Sequence, residues 1–472
     1  MTEIVSGAPG AADDPLAFSR LPLAPAALAN LQTLGYERMT PIQAASLPLA
    51  LAGHDLIAQA RTGSGKTAAF ALPLLARLDA RRVALQSLVL CPTRELAEQV
   101  TQQLRRLARY EDNVKILTLC GGTPLKPQQA SLEHGVHIVV GTPGRVLDHL
   151  DRGSLSLAGL TTLVLDEADR MLDMGFADDI ARVVEQAPAA RQTLLFSATY
   201  PDGVTKLARR FMRNPQEVRL EDRPAAQQIR QRFIEVTEAE RLPAVVRLLQ
   251  HHRPERTLAF CNTKQRCRDL VAALQAEGIV ALELHGDLEQ RDRDQVLVQF
   301  ANRSCSVLVA TDVAARGLDI AELEAVVNVD ISPEPEVHTH RVGRTGRGDA
   351  EGWAFSLASL DEMEYVARID AMQGREGTWL RLADLPPQEA AGPLLPPMVT
   401  LQILGGRKEK IRPGDVLGAL TKDLGYASSQ IGKINVNEYS TYVAVDRGIA
   451  KEAMRGLNNG KVKGRSVKVR RL

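Results

Sequence analysis

The sequence predicts an α/β protein made of two tandem parallel-sheet domains, followed by a small α+β domain of βαββαβ order. Three observations carry that expectation. Short apolar runs alternate with amphipathic helices along most of the 472 residues, the alternation restarts after Asn214-Pro215, and the charge balance changes sign near Pro397. Runs that are apolar without period-two alternation read as strands buried on both faces, the pattern of a parallel sheet.

In the first array, "LIAQ", "QSLVLC", "VKILTLC", "VHIVVGTP", "TTLVLDEAD" and "QTLLFSAT" read as strands. "RELAEQVTQQLRRLARY" and "FADDIARVVEQA" between them place apolar residues at helical spacing. The second array offers "RTLAFCNT", "VALELHG", "CSVLVATDV" and "AVVNVDI" as strands. Its helix "RCRDLVAALQAEG" puts Cys267, Leu270, Val271 and Leu274 on one face, which makes Cys267 a core residue. Strand–helix alternation of this kind folds as parallel sheets with helices on both faces. "EGTWLRLADLPPQEAAGPLLPPM" is Pro-rich and aperiodic and reads as a linker. Beyond it, "MVTLQIL", "PGDVLGALTKDLG", "IGKINVN", "TYVAVD", "GIAKEAMRGLNN" and "SVKVRR" give the βαββαβ order of a split βαβ, ferredoxin-like fold. The expected boundaries are a tail over 1–17, sheet domains over 18–220 and 221–375, a linker over 376–396 and the small domain over 397–472.

Composition narrows the function classes. Hydrophobic residues make up 44% and charged residues 24%, ordinary values for a globular protein. The N-terminus lacks the basic start and apolar run of a signal peptide, and no apolar stretch is long enough for a bilayer, so a membrane role is not expected. Five scattered cysteines, none in a C-x-x-C pair, fit free thiols in a reducing cytoplasm rather than disulfides or zinc. From Pro397 onward there are 15 Lys+Arg against 6 Asp+Glu, while the preceding chain has 43 against 51. The net charge of +1 therefore conceals a basic module on an acidic body, which points to a polyanionic partner.

"LIAQARTGSGKT" is an apolar strand, a loop of small residues and the start of a helix. Close backbone approach to phosphates requires small residues, supplied by Gly63 and Gly65 within the loop Thr62, Gly63, Ser64, Gly65. Lys66 can reach the β- and γ-phosphates of a nucleotide, and the Thr67 hydroxyl can hold Mg²⁺. Ala60 stands where the general pattern has its first glycine. "LVLDEAD" supplies Asp166 at the end of a strand as a carboxylate that can coordinate Mg²⁺ directly or through water, and Glu167 beside it to position or deprotonate a water.

With these stretches the chain resembles the DEAD-box ATP-dependent RNA helicases over nearly the whole of both sheet domains, which implies RecA-like folds. The resemblance rests on "ARTGSGKT", Asp166-Glu167-Ala168-Asp169, "PTRELA", "GG" (Gly121-Gly122), "TPGR" and "SAT" in the first domain. In the second it rests on "FCNTK", "HGDLEQRDR", "ATDVAARGLDI" and "HRVGRTGR". It implies that Gln43 of "GYERMTPIQ" reads the adenine edge, where a side-chain amide can both donate and accept, and that Phe18 packs on the base. Met39 stands where many relatives carry proline, and His338 where many carry tyrosine. Arg344 and Arg347 are implied to stabilise the γ-phosphate in the transition state, and Asp319 to contact the ribose. The implied RNA contacts are Arg94, Gly122, Thr142, Gly144, Arg145, Gln290, Arg293, Thr311 and Gly317. Ser197 and Thr199 are implied to couple the two sites by hydrogen-bonding Asp169. An ATP-gated RNA clamp, releasing rather than unwinding RNA, is compatible with the same motifs.

The basic module lacks the aromatic array by which RNA-recognition sheets stack bases; "NEYSTYVAVD" offers only Tyr439 and Tyr442. Charge alone nominates Lys408, Lys410, Lys461, Lys463, Arg465, Lys468, Arg470 and Arg471 as RNA-binding residues. "LQILGGRKEKIRPGDVLGALTKDLG…IGKINV…YVAV" is similar to the C-terminal domain of the DbpA subgroup. That similarity implies recognition of 23S ribosomal RNA at the hairpin 92 region and a part in large-subunit assembly. No obligate protein partner is implied.

Overall fold

Strands β1 (Leu56–Gln59), β2 (Ser87–Leu90), β3 (Ile116–Leu119), β4 (Ile138–Gly141), β5 (Thr162–Leu165), β6 (Gln192–Ser197) and β7 (Gln216–Arg219) form the first sheet. Their order is β3-β4-β2-β5-β6-β1-β7, all parallel. Val89 pairs with Val164 and Ile57 with Leu195, and the inner strands are buried along their length. The computed structural model describes residues 14–60, 63–200, 202–219, 229–315, 323–346, 351–385 and 392–472.

The second sheet comprises β8 (Ile229–Glu235), β9 (Thr257–Cys261), β10 (Ala281–Leu284), β11 (Val307–Thr311), β12 (Ala325–Asn328) and β13 (Gly352–Ala358), in the parallel order β10-β11-β9-β12-β13-β8. Its helix Lys264–Ala276 buries Cys267, Leu270, Val271 and Leu274 as expected. The segment expected as a linker is docked on this domain. Phe233 N–H donates to Thr378 O at 2.9 Å and Leu380 N–H to Phe233 O at 2.8 Å, covering the β8 edge, and Leu385 and Leu394 join the core. All five cysteines are buried thiols. Among the described residues no helix is long and apolar enough to cross a membrane.

The small domain pairs β14 (Met398–Ile403), β15 (Ile431–Val436), β16 (Thr441–Asp446) and β17 (Val469–Arg471) in the antiparallel order β15-β16-β14-β17. The first helix starts at Pro413–Gly418 and continues as a π-helical turn over Ala419–Asp423; the second is Ala450–Asn459. One sheet face carries Val399, Leu401, Ile403, Val443 and Val445 into the core beneath the helices. The opposite face carries Thr400, Gln402, Tyr442 and Arg470, because side chains alternate along a strand. Those side chains are engaged. Gln402 Nε2 donates to Tyr442 Oη at 3.2 Å and Arg470 Nε to Gln402 Oε1 at 2.6 Å. Thr400 Oγ1 lies 3.2 Å from Asn302 Nδ2 and 2.8 Å from Ser304 Oγ, and Met398 N–H donates to Arg303 O at 3.2 Å. The second sheet domain therefore seals part of the face that an isolated module of this topology leaves open.

Candidate functional site

The first-domain residues expected to act sit where ligands bind open α/β sheets, beyond the carboxyl ends of the strands. The glycine loop follows β1 and leads into the helix Lys66–Ala76. Gly63 (φ 83°) and Gly65 (φ 93°) are left-handed. A Cβ on Gly65 would fall 2.5 Å from Gln43 Nε2, so glycine is required by conformation and by space. Gln43 Nε2 donates to Gly65 O at 3.0 Å, and Gln43 Oε1 accepts from Thr40 N–H at 2.9 Å, capping the helix Pro41–Leu51. One amide thus ties the loop before that helix to the glycine loop. Met39 N–H donates to Leu16 O at 2.7 Å, a bond that a proline at 39 could not make. Phe18 is 4% exposed with its ring edge-on to Tyr36 at 5.9 Å, which leaves little ring surface for a ligand. Thr62 lies outside the described residues.

Lys66 and Asp166 are 6% and 3% exposed, and Lys66 Nζ and Asp166 Oδ1 have no hydrogen-bond partner. Burial pushes the Asp166 carboxyl up to about 7, against the pull of the Lys66 ammonium. Buried polar atoms are almost always satisfied. An unsatisfied ammonium and carboxylate oxygen beside a glycine loop fit a polyphosphate and its cation. Glu167 follows in the left-handed region (φ 52°, ψ 53°) and is 5% exposed. Such backbone costs about 1–3 kcal/mol and clusters at functional sites.

Asp169 Oδ2 accepts from Thr199 N–H at 2.9 Å and Thr199 Oγ1 at 2.8 Å. Asp169 N–H donates to Ser197 Oγ at 3.3 Å, and Ser197 Oγ donates to Thr199 O at 2.6 Å. Burial pushes the Asp169 carboxyl up, but the two Thr199 bonds and the Lys66 charge hold it below the usual carboxylate range. The structure joins the three residues expected to couple the sites.

A second group gathers beyond β2, β3 and β4. Arg94 Nε donates to Glu98 at 2.9 Å, Gly122 is left-handed (φ 74°), and Thr142 immediately precedes the helix containing Gly144 and Arg145. Arg145 donates to Thr123 O at 3.1 Å and to Gln128 Oε1 at 2.9 Å. Gln128, 8% exposed, also bonds Cys120 O, Thr123 Oγ1 and His149 Nε2. It fixes the Gly121-Gly122 loop against Arg145. Nothing in the sequence singled it out, since a polar residue on a short helix looks like solvent face.

In the second domain, Arg293 donates to Ala314 O at 2.6 Å, Gln290 to Asp294 at 2.7 Å, and Thr311 ends β11. Arg344 is 8% exposed. Gly317, Asp319 and Arg347 lie outside the described residues. The centre of this group is Arg341, also missed by sequence reasoning. It is 2% exposed and forms a bidentate ion pair with Asp312, Nε donating to Oδ1 at 2.7 Å and Nη2 to Oδ2 at 2.6 Å. Further bonds reach Asn262 Oδ1 at 3.0 Å and Asp330 O at 2.7 Å, with the guanidinium 5.2 Å from the Phe260 ring centre. It binds together the ends of β9, β11 and β12.

Comparison with known proteins identifies the family. A DEAD/DEAH box helicase family model matches residues 40–207, a helicase conserved C-terminal domain model residues 240–349, and a DbpA RNA binding domain model residues 400–471. The chain is 52% identical over 458 residues to ATP-dependent RNA helicase DbpA of Escherichia coli (strain K12), covering 97% of this chain and 99% of that one. It is 46% identical over 354 residues to ATP-dependent RNA helicase CshA of Listeria monocytogenes, covering 75% of this chain and 68% of that one. The structure of S. cerevisiae Dbp5 bound to RNA and ADP BeF3 aligns with a TM-score of 0.71 at 31% identity, covering 78% of this chain and 96% of that one. The chain belongs to the DEAD-box ATP-dependent RNA helicases of the DbpA type, RNA-stimulated ATPases that carry their own RNA-binding domain.

Proposed function

We propose that this helicase remodels structured 23S ribosomal RNA at the hairpin 92 region during large-subunit assembly in the cytoplasm, and that residues 397–472 supply the address. The observation that carries this reading is the DbpA-type domain itself, whose basic loops gather at one end of a sheet that is otherwise engaged.

In the ATP site, the amides of the loop Thr62–Thr67 and the Lys66 ammonium hold the phosphates, Gln43 reads adenine, and Asp319 bounds the nucleoside. Thr67 and Asp166 are the residues that would hold Mg²⁺, which would offset phosphate charge. Phosphoryl transfer to water has a loose transition state, so catalysis is positioning and charge stabilisation. Glu167, fixed in its left-handed conformation, orients the attacking water. Arg344 and Arg347 receive the charge spreading over the γ-phosphate oxygens. The core contacts RNA through Arg94, Gly122, Thr142, Gly144, Arg145, Gln290, Arg293, Thr311 and Gly317, a set suited to backbone phosphates and indifferent to sequence. Asp169, Ser197 and Thr199 link this surface to the ATP site.

The test compares ATPase stimulation of the full chain and of residues 1–396 by RNA with and without the hairpin. The full chain responds far more strongly to the hairpin, and residues 1–396 retain a weak, generic response. Equal stimulation of both by every RNA refutes the address.

A further inference from the structure

We propose that Tyr439 is a stacking platform for an unpaired base of the RNA held by the C-terminal domain, with the Lys408 ammonium taking an adjoining phosphate. This deepens the address reading above and rests on it. The two tyrosines of "NEYSTYVAVD" have opposite fates. Tyr442 is 5% exposed and its hydroxyl accepts from Gln402 in the row that closes the sheet. Tyr439 is 66% exposed, in the turn between β15 and β16. The usual platform of this topology is thus withdrawn from solvent while a ring outside the sheet is presented to it.

The presentation is rigid at the backbone. Arg407 N–H donates to Asn437 O at 2.8 Å, Lys408 N–H to Glu438 O at 3.0 Å, and Asn437 N–H to Ser440 O at 2.8 Å. The approach needs Gly406, where a Cβ would lie 2.3 Å from Asn437 O. The Lys408 ammonium stands 5.8 Å from the Tyr439 ring centre and 3.3 Å from Glu438. A third loop closes the group: the Lys463 ammonium bonds Lys410 O and lies 3.6 Å from Asp415. Lys410 and Lys463 are both left-handed (φ 61° and 54°), and Lys461 and Arg465 flank the second. An exposed ring set among lysines on ordered loops has the chemistry of single-stranded nucleic-acid sites, where stacking tolerates any base and cations follow the backbone. A loop nucleotide meets both demands; a base within a duplex does not expose its face.

The experiment uses the full chain with Tyr439→Ala, Tyr439→Phe and Tyr439→Trp. Anisotropy at fixed salt measures binding to the hairpin 92 RNA and to an unrelated hairpin of equal loop length. Each RNA is also made with 2-aminopurine at successive loop positions. Tyr439→Ala is expected to weaken binding roughly 5- to 150-fold, to abolish quenching at one loop position, and to raise the RNA concentration for half-maximal ATPase at unchanged kcat. Tyr439→Phe and Tyr439→Trp keep quenching and affinity. Binding by Tyr439→Ala within twofold of the parent on both RNAs overturns the proposal. If the parent binds both hairpins equally, the ribosomal address falls, while the Ala-against-Trp comparison still decides the stacking role.

Discussion

His338 makes the second sheet domain acid-sensitive in a way one substitution removes. It lies in the helix Pro335–Val342, is fully buried, and stacks on Phe233 with ring centres 5.8 Å apart and planes 13° apart. Neither ring nitrogen has a hydrogen-bond partner. Burial, and then the nearby Arg341 guanidinium, holds its pKa at about 4 against an ordinary 6.5. Between those pH values the unfolded chain takes up a proton that the folded domain refuses. The stability tied to neutral His338 is therefore complete above about pH 6.5 and is lost as pH falls toward 4. A gap of that size corresponds to about 3 kcal/mol, at up to ~1.4 kcal/mol per pH unit. His338→Phe keeps the stacking partner and deletes the titration. Both tryptophans of the chain, Trp353 in β13 and Trp379 on the β8 edge, lie in this domain, so their fluorescence reads its urea unfolding. The parent is expected to lose about 3 kcal/mol more than the variant between pH 7 and pH 4. Parallel stability profiles for the two proteins refute the reasoning.

Gly65→Ala forces a Cβ into left-handed backbone and onto Gln43 Nε2; a left-handed L residue costs roughly 1–2 kcal/mol before any clash. At least a tenfold loss of nucleotide affinity is expected, read by titration with a fluorescent ATP analogue, and unchanged affinity contradicts the tight fit. Arg341→Met strands Asp312 and removes bonds to Asn262 and Asp330. Breaking a buried pair costs about 3–5 kcal/mol. With a urea slope near 2–3 kcal/mol/M, the tryptophan transition moves down by about 1–2 M, and a shift below ~0.3 M shows that the network carries little.

The inner strands were legible because continuous apolar runs such as "LVLC" and "LVLD" mark strands buried on both faces. The edge strands divided: β3, β10, β15 and β17 were found, while β7 and β8 escaped sequence reading. β7 is "QEVR", exposed at three of four positions, and β8 is "IRQRFIE"; an edge strand carries polar residues like a loop. β13, "GWAFSLA", was missed although buried. The final strand was drawn too long, since only Val469–Arg471 pair with β14. In the site, loops whose chemistry is local were legible, because glycine spacing and a strand-terminal carboxylate act over a few residues. Gln128 and Arg341 were not, because their partners lie in loops brought together only by the fold.

The contact of Thr400 with Asn302 and Ser304 makes the C-terminal domain a fixed arm. Its basic end lies beyond Ile403, five residues along β14 from the anchored Met398, or about 17 Å. That length works as a ruler, setting the offset between a captured hairpin and the second sheet domain. A foreign RNA-binding domain grafted after residue 396 without a partner for Asn302 and Ser304 could bind its RNA and still present it at the wrong distance.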